Sequence, residues 1–171
     1  MTYLKGFISV LALGLLAFVG VGLLLSGEWS AERQRFLEAP PETVFTYLED
    51  LALWAEWSTM EQVEGELSTP SHGVGATLAW DDPQWGQGRF ELVSLTPVRA
   101  VEYRVSVEGG AMETRGRLDL IPEAGGTTLT WREEGDFGWN PLLAYFALGM
   151  ERMQGAELDK ALDRLERLVE G

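Results

Sequence analysis

The chain has 171 residues, enough for one domain with a substantial hydrophobic core and an additional segment. It contains no cysteine and a single histidine, His72, which excludes disulfides, thiolate metal sites and metal sites built from several imidazoles. The formal net charge is −14, so the chain lacks the basic surface that nucleic-acid phosphates require, and the sequence predicts no nucleic-acid partner, no metal and no cofactor.

The first notable segment is apolar. Residues 7–25, from Phe7 to Leu25, carry no charge, and Ser9 is their only polar side chain. This length suffices for a helix to cross the hydrocarbon core of a bilayer. A cleaved signal peptide is the alternative, but the apolar region is long for that role, and its exit carries leucines where small residues are preferred. We therefore expect residues 1–27 to form a single-pass transmembrane anchor.

Charges on the two sides of this segment bear on its orientation. Lys5 precedes the segment, while Arg33 and Arg35 follow it, so the positive-inside rule does not decide between the two orientations. Because the acidic residues Glu28 and Glu32 come first after the segment, we expect the remaining domain to lie outside the cytoplasm.

The next segment predicts a strand followed by two short helices. Residues 28–37 suit a first strand, which the double proline Pro40-Pro41 ends. Pro41 also suits the first turn of a helix, where its missing N–H is not needed. Apolar residues then recur at helical spacing with a break near Asp50. These residues are Val44, Phe45, Leu48, Leu51, Trp54 and Trp57.

From Gly73 onwards, strand-like segments alternate with turns, which predicts an antiparallel meander of about five strands. The Gly109-Gly110 pair is a strong hairpin signal between two of them. Pro122 is expected to end the strand that follows this hairpin. The predicted strands are residues 75–82, 87–95, 99–107, 112–121 and 127–136.

The last stretch, residues 140–169, predicts one long helix. Asn140 is a good N-cap, and Pro141 suits the first turn. Apolar residues recur at three- and four-residue steps and are expected to share one face. They are Tyr145, Phe146, Leu148, Met153, Leu158, Leu162, Leu165 and Val169. Such a helix needs a broad apolar surface, so we expect an α+β fold in which it covers one face of a curved antiparallel sheet.

Several of these residues resemble the opening and the last strand of the SRPBCC superfamily, which includes START-like, Bet v 1-like and polyketide cyclase/dehydrase-like domains. The matching stretches are LEAPPETVF at residues 37–45, the Trp54 and Trp57 region, and GTTLTW at residues 126–131. The resemblance implies a helix-grip fold for residues 28–171: about seven strands around a long C-terminal helix, with a hydrophobic cavity between them. Members bind lipids, sterols, hormones or polyketides, and a minority are enzymes. No catalytic set is carried over.

Aromatic residues are the candidate ligand contacts in that cavity. Their flat, apolar surfaces with a polar tip suit a pocket for apolar ligands. The candidates are Trp57, Trp80, Trp85, Tyr103, Trp131 and Phe146. The alternative, favoured for Trp57 and Trp131, is that the indoles fill the core beneath the long helix. Trp80 and Trp85 flank a polar loop and suit a cavity mouth equally well.

Titratable groups give few candidates for catalysis. His72 lies in a predicted loop and is a weak candidate for a general base, because a lone loop histidine is usually solvated. Asp81 and Asp82 are neighbours on a strand, so they point to opposite faces and do not form a dyad. The acidic residues that close the last strand are expected to be solvated as well. These are Glu133, Glu134 and Asp136.

Strand arginines have two interpretations. They can orient a ligand carboxylate, or they can form exposed cross-strand ion pairs with nearby acids, and the second is favoured. The arginines are Arg104, Arg115 and Arg117, and the acids are Glu102, Glu113 and Asp119.

The sequence therefore supports three functional hypotheses. The favoured one is a membrane-tethered protein that binds a hydrophobic small molecule or lipid in the cavity beside the last helix. The second is a polyketide cyclase/dehydrase-like enzyme that uses His72 or an inward-facing carboxylate as base, which requires a buried titratable group with a perturbed pKa. The third is an accessory subunit that docks on a membrane-protein partner, and a cavity plugged by indoles would favour it.

Overall fold

The structure, a computed structural model, describes residues 2–83, 86–110 and 112–171. The helices are α1 (Thr2–Gly22), α2 (Pro41–Glu49), α3 (Leu51–Trp57) and α4 (Pro141–Glu170), with short 3-10 helices at Thr59–Gln62 and Glu108–Gly110. The strands are β1 (Glu28–Leu37), β2 (Glu66–Leu67), β3 (Thr77–Asp82), β4 (Gly86–Thr96), β5 (Ala100–Val107), β6 (Met112–Glu123) and β7 (Gly126–Asp136).

The strands form one antiparallel sheet in the order β1-β7-β6-β5-β4-β3-β2. Helices α3 and α4 cover one face, and the core lies between these helices and the sheet. The predicted α+β architecture, with seven antiparallel strands and a long C-terminal helix, is confirmed. The two-residue strand β2 has too few residues to show a period and was missed.

The predicted helix boundaries have clear chemical causes. Asp50 separates α2 from α3, and its carboxylate accepts a hydrogen bond from the backbone N–H of Ala52 at 3.0 Å. Asn140 caps α4 in the same way, accepting from the backbone N–H of Leu142 at 3.0 Å. The predicted break near Asp50 and the predicted N-cap Asn140 are therefore confirmed.

Pro122 does not end its strand. It pairs with Thr127 of β7, and β6 continues to Glu123. The sheet tolerates a proline at this position because β5, the neighbour on the other side, begins at Ala100 opposite Asp119. Pro122 therefore lies beyond the end of β5. On that side, no neighbouring strand among the described residues needs a hydrogen bond from the N–H that proline lacks.

The long helix α4 is clamped to β1 by ion pairs. The Arg33 guanidinium lies 2.9 Å from the Asp159 carboxylate and 3.0 Å from that of Glu151. One strand step of two residues further on, Arg35 lies 2.7 Å from Asp163 and 2.8 Å from Glu166. These pairs fix the second half of α4 along the edge strand.

The two halves of α4 differ, and the predicted single apolar face is wrong for the first half. Leu158, Leu162 and Leu165 are buried against the sheet, as expected. Phe146 is 54% exposed, and Leu148 and Met153 are also exposed. Near Phe146 the reason is that the first turns of α4 pack on α1. At the level of Met153, Gln154 is the residue that faces the sheet.

Helix α1 contacts this first part of α4. The rings of Phe18 and Tyr145 stack with centroids 4.4 Å apart, and the Tyr145 hydroxyl donates to the Phe18 carbonyl at 2.7 Å. The predicted span over residues 7–25 falls mostly on α1 and runs three residues past its end at Gly22. Within the described part of the chain, no helix has the combination of length and hydropathy needed to cross a bilayer. The membrane tether stays a prediction.

Three aromatic rings lie flat across glycines of neighbouring strands. The pairs, each directly opposed in the register, are Trp29 with Gly135, Trp80 with Gly88, and Tyr103 with Gly116. At Gly116, a Cβ would lie 1.9 Å from Cζ of Tyr103, which no packing arrangement allows. Glycine at this position therefore sets where the Tyr103 ring can lie.

Candidate functional site

A cavity of 160 Å³ lies between α4, the Thr59–Gln62 helix and the inner face of β5 to β7. Its lining is mostly apolar or aromatic, with a small polar group at one side. The lining residues are Trp54, Ser58, Thr59, Met60, Phe90, Tyr103, Val105, Thr114, Trp131, Glu133, Gln154, Glu157, Leu158 and Ala161.

An aromatic cluster forms the floor of this cavity. The Trp54 ring lies 4.8 Å from Phe90 and 5.2 Å from Tyr103, centroid to centroid, with edge-on geometry in both cases. Phe90 and Tyr103 stack at 4.7 Å, and Trp57 packs behind Trp54 at 4.6 Å. The indoles therefore fill the deep interior and leave the remaining space beside Tyr103 and α4.

The polar side of the cavity is a hydrogen-bonded chain of four side chains. Trp131 Nε1 donates to the Tyr103 hydroxyl oxygen at 2.8 Å, and that hydroxyl donates to Glu133 Oε1. From α4, Gln154 Nε2 donates to the other carboxylate oxygen, Glu133 Oε2, at 2.5 Å. Each hydrogen bond is directed towards Glu133, which is the acceptor at the end of the chain.

Glu133 is buried, with 6% of its surface exposed. Burial raises the pKa of its carboxyl group above the ordinary value, and the hydrogen bonds from Tyr103 and Gln154 oppose this in part. Burial, and then the nearby Glu133 charge, raise the pKa of Tyr103 well above its usual value of 10.0. Tyr103 is therefore a neutral donor at physiological pH, and Glu133 is a carboxyl group whose charge is costly to keep.

Among the described residues, no basic side chain forms an ion pair with Glu133, which accepts hydrogen bonds from the Tyr103 hydroxyl and the Gln154 amide. A buried carboxylate without a counter-charge favours any added hydrogen-bond donor. The site can therefore accept a hydrogen bond from a hydroxyl or ammonium group of a bound molecule, or accept a proton from it.

The residues predicted as ligand contacts occupy different places. Tyr103 and Trp131 line the cavity. Trp57 lies in the core, where its indole N–H donates to the Tyr47 carbonyl at 3.3 Å, and Trp80 lies across Gly88, away from the cavity.

Phe146 does not line the cavity, because it lies on the half of α4 that leaves the sheet, and it contacts Phe137 at a ring distance of 6.5 Å. Trp85 lies outside the described residues. His72 is exposed, in a bridge with Asp50 that lies away from the cavity lining. A role for His72 as a base at the cavity therefore has no geometric support.

Glu133 is the residue that sequence reasoning missed. The sequence predicts a solvated side chain for Glu133, as for Glu134 and Asp136, yet its side chain points inward and theirs are exposed. The signal was present in the strand period, because Leu129, Trp131 and Glu133 alternate along one face of β7. Continuing the period beyond the apolar residues would have placed the carboxylate in the core.

The outer face of the sheet carries the arginines in exposed ion pairs, of which Arg104–Glu113 and Arg117–Glu102 cross between strands as predicted, while the others lie within β6. Arg115 lies 2.9 Å from Glu113, and Arg117 contacts both Glu102 and Asp119. Arg104 lies 3.7 Å from Glu113. Among the described residues, no group of three or more His, Cys, Asp or Glu side chains is arranged to hold a metal ion.

Comparison with known proteins gives the same fold. Residues 28–170 match the model of the family described as polyketide cyclase/dehydrase and lipid transport. No protein with a curated description matches at a significant level.

Among solved structures, DynU16, a protein in the dynemicin biosynthetic locus, is 21% identical with a TM-score of 0.60, covering 82% of this chain and 47% of DynU16. Protein CV1439 from Chromobacterium violaceum is 20% identical with a TM-score of 0.57, covering 83% of this chain and 97% of CV1439. The di-domain ARO/CYC StfQ from the steffimycin biosynthetic pathway is 15% identical with a TM-score of 0.60, covering 84% of this chain and 51% of StfQ. The chain thus spans about half the length of DynU16 and StfQ. At these identities the likeness concerns the fold.

Proposed function

Since this chain belongs to the polyketide cyclase/dehydrase and lipid transport family, we propose that it binds a small, mostly apolar molecule carrying a hydroxyl group. The observation that carries the proposal is the buried acceptor Glu133 at the edge of an aromatic cavity. The ligand's apolar part packs on Trp54, Phe90 and Trp131, and its hydroxyl donates to Glu133.

The cavity volume limits the ligand. At 160 Å³ it is close to the ~150 Å³ cavities that hold one benzene ring, and well below the ~300–1,000 Å³ of pockets for larger ligands. A single ring with a hydroxyl group fits this space, whereas a sterol or a multi-ring polyketide is too large for it. Phenol is therefore the minimal probe.

The test is calorimetric titration of the full chain in phosphatidylcholine nanodiscs with phenol and with toluene, which has the same size but no hydroxyl. We expect phenol to bind at least ten-fold more tightly, because one hydrogen bond to a charged group contributes about 1.5–3 kcal/mol. Ala161→Met, which fills the cavity from α4, should weaken phenol binding at least ten-fold. The matched control Ala156→Met lies on the exposed side of the same helix and should leave it unchanged.

Two results would contradict this proposal. One is that phenol and toluene bind equally, which would leave Glu133 without a role. The other is that Ala161→Met binds phenol as well as the Ala156→Met control does, which would place the bound molecule elsewhere. Mass spectrometry of the molecules that copurify with the chain can identify the natural ligand class. A molecule counts as the cavity ligand only if it copurifies with the wild type and is lost from Ala161→Met.

A second candidate function is favoured by the same carboxyl group. A cyclase/dehydrase-like enzyme needs a buried base with a perturbed pKa, and Glu133 is such a group. In this reaction Glu133 takes a proton from the carbon next to a substrate carbonyl, and the electron pair moves to the carbonyl oxygen as an enolate. NMR of hydrogen–deuterium exchange at the methyl group of 4-hydroxyacetophenone tests this proton abstraction. Exchange that is accelerated by the wild type and not by Glu133→Gln supports catalysis. Exchange at the rate seen without protein supports binding alone.

We also propose that α1 tethers the chain to a membrane. The support is the uncharged run at residues 7–25 and the exposed side chains of Leu13, Leu15 and Leu16. After alkaline carbonate extraction, the wild type should stay with the membrane fraction, and Leu16→Lys should be released. Leu67→Lys, an exposed leucine on β2, is the matched control and should behave as wild type. Release of the wild type would refute the tether.

A further inference from the structure

A second cavity of 170 Å³ lies beside the first, nearer to the start of α4. We call the 160 Å³ cavity the inner chamber and this one the outer chamber. The outer chamber is mainly apolar, with acidic groups at its edge. Its lining residues are Trp29, Val105, Val107, Met112, Glu113, Thr114, Asp136, Phe137, Met150 and Gln154.

Three residues line both chambers and therefore form the wall between them: Val105, Thr114 and Gln154. Val105 and Thr114 are directly opposed in the register of β5 and β6. Gln154 completes the wall from α4, and its 2.5 Å hydrogen bond to Glu133 Oε2 holds the side chain in this position. The wall thus has two fixed parts on the sheet and one flexible side chain.

Helix α4 and strand β5 both run along the two chambers, and each contributes residues first to one chamber and then to the other. On α4, successive turns present Met150 to the outer chamber, Gln154 to both, and Leu158 to the inner chamber. On β5, alternate residues Val107 and Tyr103 face the outer and inner chambers, with Val105 between them. The two chambers therefore share one continuous lining, and the wall that contains Gln154 separates them.

We infer that Gln154 is a gate between the chambers, and that the ligand is a phenol carrying a hydrocarbon chain. This inference rests on the proposed binding function. The ligand's hydroxyl replaces the Gln154 amide as the donor to Glu133 Oε2. Gln154, released from that hydrogen bond, rotates out of the wall, and the ligand's chain enters the outer chamber.

The exchange of donors explains why this ligand class fits. Glu133 keeps a full set of hydrogen bonds, so no buried acceptor is left unpaired, while the Gln154 amide lies near the edge of the site, where water can serve it. Together the chambers exceed ~300 Å³, the lower end of ordinary ligand pockets.

The experiment compares phenol with 4-butylphenol by titration of the full chain in phosphatidylcholine nanodiscs, with empty discs as blank. The measured quantity is the ratio of the two affinities, in which partitioning into lipid cancels between variants. Gln154→Ala opens the wall, and we expect it to raise the 4-butylphenol/phenol ratio at least ten-fold over wild type. Gln34→Ala, an exposed glutamine on β1, is the matched control and should leave the ratio unchanged.

A second variant keeps the test decisive should Gln154→Ala fold poorly. Val107→Trp fills the outer chamber alone, and we expect it to lower the ratio at least ten-fold. An equal ratio in wild type, Gln154→Ala and Val107→Trp would overturn the gate while phenol binding, and with it the proposed function, stands. Failure of wild type to bind phenol at all would instead refute the proposed function and the gate together.

Discussion

The two faces of the sheet place glutamate side chains in opposite environments, as the adjacent residues Glu133 and Glu134 show. Glu133 faces α4, is 6% exposed and accepts hydrogen bonds from Tyr103 and Gln154. Glu134 faces outward, with 55% of its side chain exposed, 4.0 Å from Arg132. One step along β7 converts a solvated ion into a buried acceptor.

The two faces differ in how they hold charge. On the outer face, acids and arginines neutralise each other in water, where each pair contributes little to stability. On the inner face, the carboxyl group has no cationic neighbour among the described residues, and its hydrogen bonds are made in a low-dielectric environment. Many charges lie on the outer face, but the buried carboxyl group of Glu133 lies on the inner face, where burial raises its pKa.

The largest expected effect is the difference in stability between two truncations at adjacent residues of β7, one on each face of the sheet. Trp131→Ala removes a buried indole and the donor to Tyr103, and should lower the free energy of unfolding by about 3–5 kcal/mol. Arg132→Ala, the next residue on the outer face, should change it by less than ~0.5 kcal/mol. Urea denaturation followed by circular dichroism measures both. Equal losses would show that the faces do not differ in packing.

A smaller effect is expected from adding one methyl group on the inner side. Gly116→Ala puts a Cβ where the Tyr103 ring lies, and should cost about 1–3 kcal/mol as the ring is displaced from Glu133. The control Gly149→Ala lies on the exposed side of α4 with open space around it, and should stabilise by up to ~1 kcal/mol through helix propensity. Urea denaturation followed by circular dichroism measures both changes. A neutral Gly116→Ala would mean that Tyr103 is not confined by the sheet.

The smallest effect is a difference in pH dependence. Burial raises the pKa of Glu133 above its ordinary value of 4.5, so between these two values the folded state binds more protons than the unfolded state. The contribution of Glu133 to stability is therefore complete below about pH 4.5 and declines as the pH rises through the raised pKa. Glu133→Gln should lack this decline, and Glu134→Gln, which retains Glu133, should keep it. Thermal unfolding from pH 4 to pH 8 tests this, and parallel curves for wild type and Glu133→Gln would refute it.

Much of the fold could be predicted from the sequence because its signals are local. Asp50 and Asn140 cap helices with their own side chains, and the Gly109-Gly110 pair marks the turn between β5 and β6. At Pro122 and Phe146, the prediction failed for tertiary reasons. Pro122 is tolerated because of where β5 begins, and Phe146 is exposed because α4 extends past the sheet to α1.

The candidate site was predictable in part. Tyr103 and Trp131 follow the strand period and were identified as possible ligand contacts. Glu133 obeys the same period, but an acidic residue at the end of a strand is usually solvated, and only the arrival of Gln154 from α4 and Tyr103 from β5 gives it partners. Those partners lie 21 and 30 residues away in the sequence, so no local pattern brings them together.

The three aromatic rings that lie across glycines also bear on how the sheet assembles. Each ring fits only when its strand is aligned with one particular residue of the neighbour. A shift of one position would set Tyr103 against Arg115 or Arg117 and turn the inner side chains outward. The three pairs join β1 to β7, β3 to β4, and β5 to β6, so a misalignment of any of these strand pairs is unfavourable. Each ring therefore favours one alignment of its strand pair, and the ring between β5 and β6 also carries the Tyr103 hydroxyl of the candidate site.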